Sequence, residues 1–228
     1  RGHDAARLHE VNTASIDLLH ALRERYRGEL DTVVVSGMLG PRGDGYRPDT
    51  DMTPDEAADY HRPQLAAFAE SGADLAGALT LTSIDEARGM VRAARAVGIP
   101  IGISFTVETD GRLPDGTSVA DAIGSVDQTD PPDHYLLNCA HPTHIARGLG
   151  DPDERIERVI GIRGNASTLS HAELDEADEL DAGDPDAFAA DHEALRARLP
   201  GLSVFGGCCG TDARHIAALW RALSRSRA

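Results

Sequence analysis

Along this chain, short runs of apolar and β-branched residues alternate with longer stretches in which apolar residues recur every three or four positions. The runs cover residues 32–35, 73–81, 99–107, 134–137, 159–162 and 202–205, and each reads as a strand. Residues 8–26 and 216–223 carry the helical period instead. Two helix starts are legible residue by residue. Thr53-Pro54-Asp55-Glu56 offers an N-cap hydroxyl, a proline at the first helical position and a glutamate placed to close a capping box. Ser83-Ile84-Asp85-Glu86 is a second box of the same kind.

Strands that alternate with helices in this way predict βαβ units, a parallel sheet and the α/β class. An open doubly wound sheet would satisfy the pattern. A (β/α)8 TIM barrel satisfies it too, and also explains why the chemically interesting residues recur just after strands. Six strands do not close such a barrel, and an unclosed one leaves two edges bare. The expected architecture is therefore one barrel domain over residues 1–228, holding roughly strands three to eight, with two strands upstream of Arg1. The absence of an initial methionine agrees with that expectation, and no linker divides the chain.

Composition narrows the function classes. With 228 residues, 41% of them hydrophobic, the chain can bury one sizeable core. A formal net charge of −16 argues against nucleic acid or an anionic membrane as partner, because both require a basic footprint. No apolar stretch approaches the ~18–20 residues of a membrane-spanning helix. All 22 basic residues are arginine, which removes lysine Schiff-base chemistry and the P-loop. Three cysteines, two of them adjacent, make a poor disulfide framework, so a reducing cytoplasm is the expected compartment.

Those three cysteines carry the chemistry. Cys139 follows Leu136-Leu137-Asn138, and Cys208 and Cys209 follow Val204-Phe205-Gly206-Gly207, so all three sit where a strand ends. Adjacent side chains normally diverge, and Gly206, Gly207 and Gly210 give the backbone the freedom to aim both thiols at one ion. Three thiolates with an open fourth position describe a catalytic rather than a structural zinc site. Thr211-Asp212 opens the last helix, whose N–H groups are expected to steady the thiolates. Two plainer readings stand beside this one: Cys139 as a small core residue, and a structural Cys3His site using His141 or His215.

Asn138-Cys139 together with Gly206-Gly207-Cys208-Cys209-Gly210 resembles the signature of the zinc-dependent homocysteine S-methyltransferases. Ser36-Gly37-Met38-Leu39-Gly40-Pro41 is similar to that family's Gly-Ser-Leu-Gly-Pro turn. His61-Arg62-Pro63-Gln64-Leu65 with Ser71-Gly72-Ala73-Asp74 resembles the helix leading into its fourth strand. Ile103-Ser104-Phe105-Thr106 and Asp115-Gly116-Thr117 resemble its fifth strand and the turn beyond. The resemblance implies a (β/α)8 barrel with Zn²⁺ held by Cys139, Cys208 and Cys209. It further implies methyl transfer from a sulfonium or quaternary ammonium donor to a thiol, by default homocysteine giving methionine.

Asn138 lines the substrate site in that comparison, and Asn165 matches an asparagine near the family's seventh strand. Ser36, Thr80 and Ser104, at strand ends, are further candidates for substrate contact, with Thr106 in the same class; plain strand or cap roles compete for each. The acidic stretch 171–191 reads as a solvated face that also brings negative charge to the barrel mouth, where a cationic donor would enter. One departure is notable. Relatives read Phe-Glu-Thr where this chain has Ala78-Leu79-Thr80, so Leu79 stands in place of a carboxylate that would pair with the amino group of homocysteine. The alternatives are therefore a different thiol or selenol acceptor, or a non-catalytic zinc-binding barrel. Donor identity and oligomeric state are not encoded in any pattern found.

Overall fold

The structure is a computed structural model that describes residues 4–46, 52–151 and 153–225. Six parallel strands form one curled sheet in sequential order, a half-barrel consistent with part of a TIM barrel. They are β1 (Ser36–Leu39), β2 (Leu75–Leu81), β3 (Ile101–Phe105), β4 (His134–Asn138), β5 (Val159–Gly164) and β6 (Val204–Gly207). α1 (Ala5–Arg25) precedes the sheet, and α2 (Pro54–Glu70), α3 (Ile84–Val97) and α4 (Val119–Asp127) fill the next three crossovers. α5 (Pro142–Gly148) follows β4, α6 (His171–Asp175) and α7 (Pro185–Arg198) follow β5, and α8 (Ala213–Arg225) follows β6. Among the described residues, no helix is long and apolar enough to cross a membrane.

The core lies between the helices and one face of the strands. Leu65 and Phe68 of α2, Met90 and Val91 of α3, and Ile101, Ile103 and Phe105 of β3 are all buried there. Burial of this apolar surface at ~25 cal/mol per Å² is what holds the crossovers onto the sheet.

Thr53 caps α2 with both halves of the capping box formed. Ser83 caps α3 through the Glu86 N–H, but the reciprocal bond is missing. The Glu86 carboxylate is buried and turns instead to the Arg42 N–H at 2.7 Å and His61 Nε2 at 2.8 Å. A charge that deep needs partners, and a solvent-facing cap supplies too few.

The first strand departs from the sequence reading. It begins at Ser36, after the valine run rather than within it. Its one neighbour among the described residues, β2, starts pairing at Leu75 opposite Ser36, so residues 32–34 have no ladder there to join. Val35 is tied at the corner, its N–H donating to the Asp74 carboxylate and its carbonyl accepting from the Asp74 N–H. Val34, 56% exposed, covers nothing.

Candidate metal centre

Five strand exits build the site: β2, β3, β4, β5 and β6. Two of these exits turn through the left-handed region. Cys139 adopts φ +57°, and Thr80 at the irregular end of β2 adopts φ +61°. For a β-branched residue such as Thr80 this is a costly conformation, on the order of 1–3 kcal/mol, kept only where the surroundings over-determine it.

Asn138 supplies that determination for Thr80. Its Oδ1 accepts from the Thr80 N–H at 2.8 Å and from the Ser104 hydroxyl at 2.6 Å, while its Nδ2 donates to Thr80 Oγ1 at 2.8 Å. Cys139 is fixed through its backbone. Its N–H donates to the Arg163 carbonyl at 3.0 Å. Its carbonyl accepts from Asn165 Nδ2 at 2.9 Å, from His171 Nε2 at 2.6 Å and from Thr106 Oγ1 at 3.3 Å.

The other two thiols come from the β6 exit. Gly210, at φ +77°, closes the turn after Cys209 in a region that L side chains avoid. Asn165 joins the two halves of the site, since its Oδ1 accepts the Cys209 N–H at 3.2 Å while its Nδ2 holds Cys139. The result is a cluster. Cys139 Sγ lies 3.2 Å from Cys208 Sγ and 3.5 Å from Cys209 Sγ. All three sulfurs fall within 4.8 Å of one another, the sole grouping of potential metal ligands of this kind among the described residues. Tetrahedral zinc with bonds of about 2.3 Å sets sulfurs roughly 3.8 Å apart, so this donor set fits a soft metal after sulfur shifts of well under about 1 Å.

Hydrogen bonds from the neighbouring thiols, Cys139 first, hold Cys208 far below the usual thiol range. The same pairing with Cys208, together with burial, pushes Cys139 far above it. The N–H groups that open α8 do not reach the sulfurs, contrary to the sequence reading: those of Arg214, His215 and Ile216 bond Asp212. The Asp212 carboxylate takes the Arg214 N–H, and its backbone carbonyl takes those of His215 and Ile216 as the first turn of the helix closes on itself. His141 and His215 also lie outside the cluster. The ring of His215 faces Asp212 and the Ala182 carbonyl, and His141 Nδ1 pairs with Thr143.

The remaining candidates separate by position. Thr80, Ser104, Asn138 and Asn165 form the polar lattice around Cys139, with their polar atoms engaged in one another or in backbone. Ser36 does not join them. With β1 starting at Ser36, this residue sits at the N-terminal end of its strand, opposite the end that bears the thiols, because parallel strands all exit on one side.

Two contributors carry no sequence pattern. Tyr46, in the loop after β1, places its hydroxyl 2.8 Å from Cys139 Sγ. Burial and this contact push the hydroxyl above its ordinary range and keep it a neutral phenol at physiological pH. The His171 ring packs tilted against Tyr46 at a ring-centroid distance of 4.1 Å and faces Glu108 at 3.1 Å. Both are loop or helix-end residues, where no periodicity marks a side chain as inward. Only the resulting cavity, of about 540 Å³, reveals them; Tyr46, His171, Asp178, Glu179, Asp181 and Cys209 are on its wall. The acidic stretch therefore does face the mouth.

The family profile described as homocysteine S-methyltransferase matches residues 1–223. The chain is 26% identical over 190 residues to the Bacillus subtilis homocysteine S-methyltransferase YbgG, covering 80% of this chain and 59% of that protein. It is 26% identical over 247 residues to the Escherichia coli homocysteine S-methyltransferase, covering 96% of this chain and 73% of that one. The metallated crystal form of the Escherichia coli homocysteine methyltransferase MmuM superimposes with a TM-score of 0.76 at 24% identity. That superposition covers 100% of this chain and 74% of MmuM and speaks to the fold. With 223 of its residues matched by the family profile, the chain belongs to the homocysteine S-methyltransferase family.

Proposed function

We propose that this protein carries the site of a zinc-dependent S-methyltransferase, moving a methyl group from a sulfonium or quaternary ammonium donor to a thiol, with homocysteine as default acceptor and methionine as product. One observation carries the reading: three cysteines from two distant segments bring their sulfurs within 4.8 Å of one another in a member of this family. The same reading takes β1–β6 as strands three to eight of a (β/α)8 barrel, one domain over residues 1–228, working in the cytoplasm.

Cys139, Cys208 and Cys209 would hold the ion. Zinc bound there would supply an open fourth position and lower the pKa of an acceptor thiol placed at it. The acceptor sulfur forms a bond to the methyl carbon as the donor–methyl bond breaks, and the electron pair of that bond returns to the donor. A cationic donor leaves neutral, so no general acid is needed at the leaving atom. Asp178, Glu179 and Asp181 line the approach and attract the positive donor. The lattice of Thr80, Ser104, Asn138 and Asn165 keeps Cys139 aimed, and Tyr46 with His171 closes the wall and restricts water.

Leu79 supports a second reading of the acceptor. It is half-buried at the exit of β2, where the family resemblance expects a carboxylate for an ammonium. A broadened or shifted thiol specificity follows from its apolar side chain. Zinc analysis of the protein, combined with methyl transfer from several donors to several thiols, tests the whole proposal. Methylation of thiols with one zinc per chain supports it, and bound zinc with no transfer to any thiol leaves a non-catalytic zinc protein.

A further inference from the structure

Arg163 is the residue next to the cluster that the reading above does not use. It is the penultimate residue of β5 and pairs in register with Asn138 of β4 on one side and Gly206 of β6 on the other. Residues opposite one another in a ladder share a face of the sheet. Arg163 therefore shares that of Asn138, at the strand exits where the thiols converge. Its side chain lies across Gly206. A Cβ there would sit 3.3 Å from Arg163 Cγ, 3.7 Å from Nε and 3.9 Å from Cδ, so the glycine is what leaves room for the arginine. Two residues beyond Gly206 is Cys208, which feels the positive charge.

Arg163 is half-buried as a residue, and its guanidinium has no hydrogen-bond or ion-pair partner among the described residues. Elsewhere, partly buried arginines are paired: Arg23 with Asp74, Arg88 with Asp85, Arg158 with Asp127. In a chain with 38 acidic residues, a half-buried arginine without one has its five donors open to a ligand. Leu79 brings no charge to the β2 exit, and the acids cluster on the cavity side, around Asp178, Glu179 and Asp181.

We infer that Arg163 is the specificity-determining residue for the acceptor, binding a carboxylate borne on the thiol substrate, so that the preferred acceptors are mercapto-carboxylates whether or not they carry an amine. The inference rests on the methyltransferase reading for the presence of a thiol site and adds the class of thiol. It divides the site by charge: a cation for the acceptor's anionic end, anions for the incoming donor. Loss of a bidentate guanidinium–carboxylate contact reads as a tenfold to hundredfold loss of affinity.

The test is calorimetric binding of two thiols of equal length, 4-mercaptobutanoate and its neutral amide 4-mercaptobutanamide, to the zinc-loaded protein. The wild type should bind the acid at least tenfold more tightly. Arg163→Gln should erase that preference by weakening the acid alone, and Arg163→Lys should restore part of it. Equal affinity for acid and amide in the wild type overturns the inference and leaves methyl transfer to thiols standing. Equal weakening of both thiols in Arg163→Gln also overturns it, because Arg163 would then support the centre rather than select the ligand. Failure of the wild type to bind either thiol overturns this inference and the methyltransferase reading together.

Discussion

The β2–β4 side of the site and the β6 side meet at the same three sulfurs and are built in opposite ways. Around β4 the lattice is mostly buried and fully bonded. Asn138 and Ser104 are closed off from solvent, and two residues at positive φ are held by side chains bonded to several strands at once. At the β6 exit, Cys208 is half-buried and Cys209 exposed, and the flanking wall is a solvated acidic loop over a cavity. The difference teaches how a three-thiol site stays open. One cysteine is positioned by a rigid lattice that cannot relax, and the other two are presented from a turn that leaves space beside them for ligands.

The largest way to break this contrast is to remove the fixed thiol. Cys139→Ser should lower methyl transfer by at least a thousandfold, because a hydroxyl is a poor ligand for a soft metal and no neighbouring group replaces it. Steady-state assays on a folded variant check this, and activity within tenfold of wild type would show that Cys139 is not needed.

Next comes the lattice itself. Asn138→Ala strands the Thr80 N–H and the Ser104 hydroxyl in a buried place and should cost about 3 kcal/mol in chemical denaturation. A substitution on the other side, Asp178→Asn, should change stability by less than about 0.5 kcal/mol. Comparable costs in the two variants would erase the distinction between the regions.

A comparable effect, on the order of 3 kcal/mol, belongs to His192 in α7. Its ring is fully buried, Nδ1 donates to the Phe188 carbonyl at 2.8 Å, and Nε2 has no partner. Burial lowers its pKa to about 4 from an ordinary 6.5. The unfolded chain therefore takes up a proton that the native state refuses. The contribution to stability is complete above pH 6.5 and is lost as pH falls toward 4. Denaturation of metal-free protein across that window should show the slope, and His192→Leu should flatten it. An unchanged slope would mean that other groups govern the acid limb.

The smallest expected effect sharpens the comparison at its apolar corner. Leu79→Glu should raise preference for homocysteine over an amine-free thiol of the same length by about ten- to a hundredfold, the equivalent of a charge-assisted hydrogen bond. Strong wild-type preference for homocysteine that Leu79→Glu leaves unaltered would contradict the role given to Leu79.

How far the sequence disclosed all this follows the same division. The cysteine pair was legible because glycine-flanked adjacent thiols have few other uses. Asn138 was legible through the family resemblance, although its bonds to Thr80 and Ser104 depend on where three strands end relative to one another. The capping motifs at Thr53 and Ser83 predicted α2 and α3, but only tertiary packing could draw Glu86 away from its box to His61 and Arg42. The valines at 33–35 have strand propensity without a strand to pair with, and that error carried Ser36 to the wrong end of β1. Tyr46 and His171 reach the centre from a loop and a helix end, and side chains so placed follow the path of the backbone, not a repeat.

The central claim is that Cys139, Cys208 and Cys209 together make one zinc site. Metal analysis of the purified wild type and of Cys208→Ser, both after dialysis against a weak chelator, tests it most directly. The account predicts one zinc per chain in the wild type and almost none in the variant. Full zinc occupancy in Cys208→Ser would contradict it.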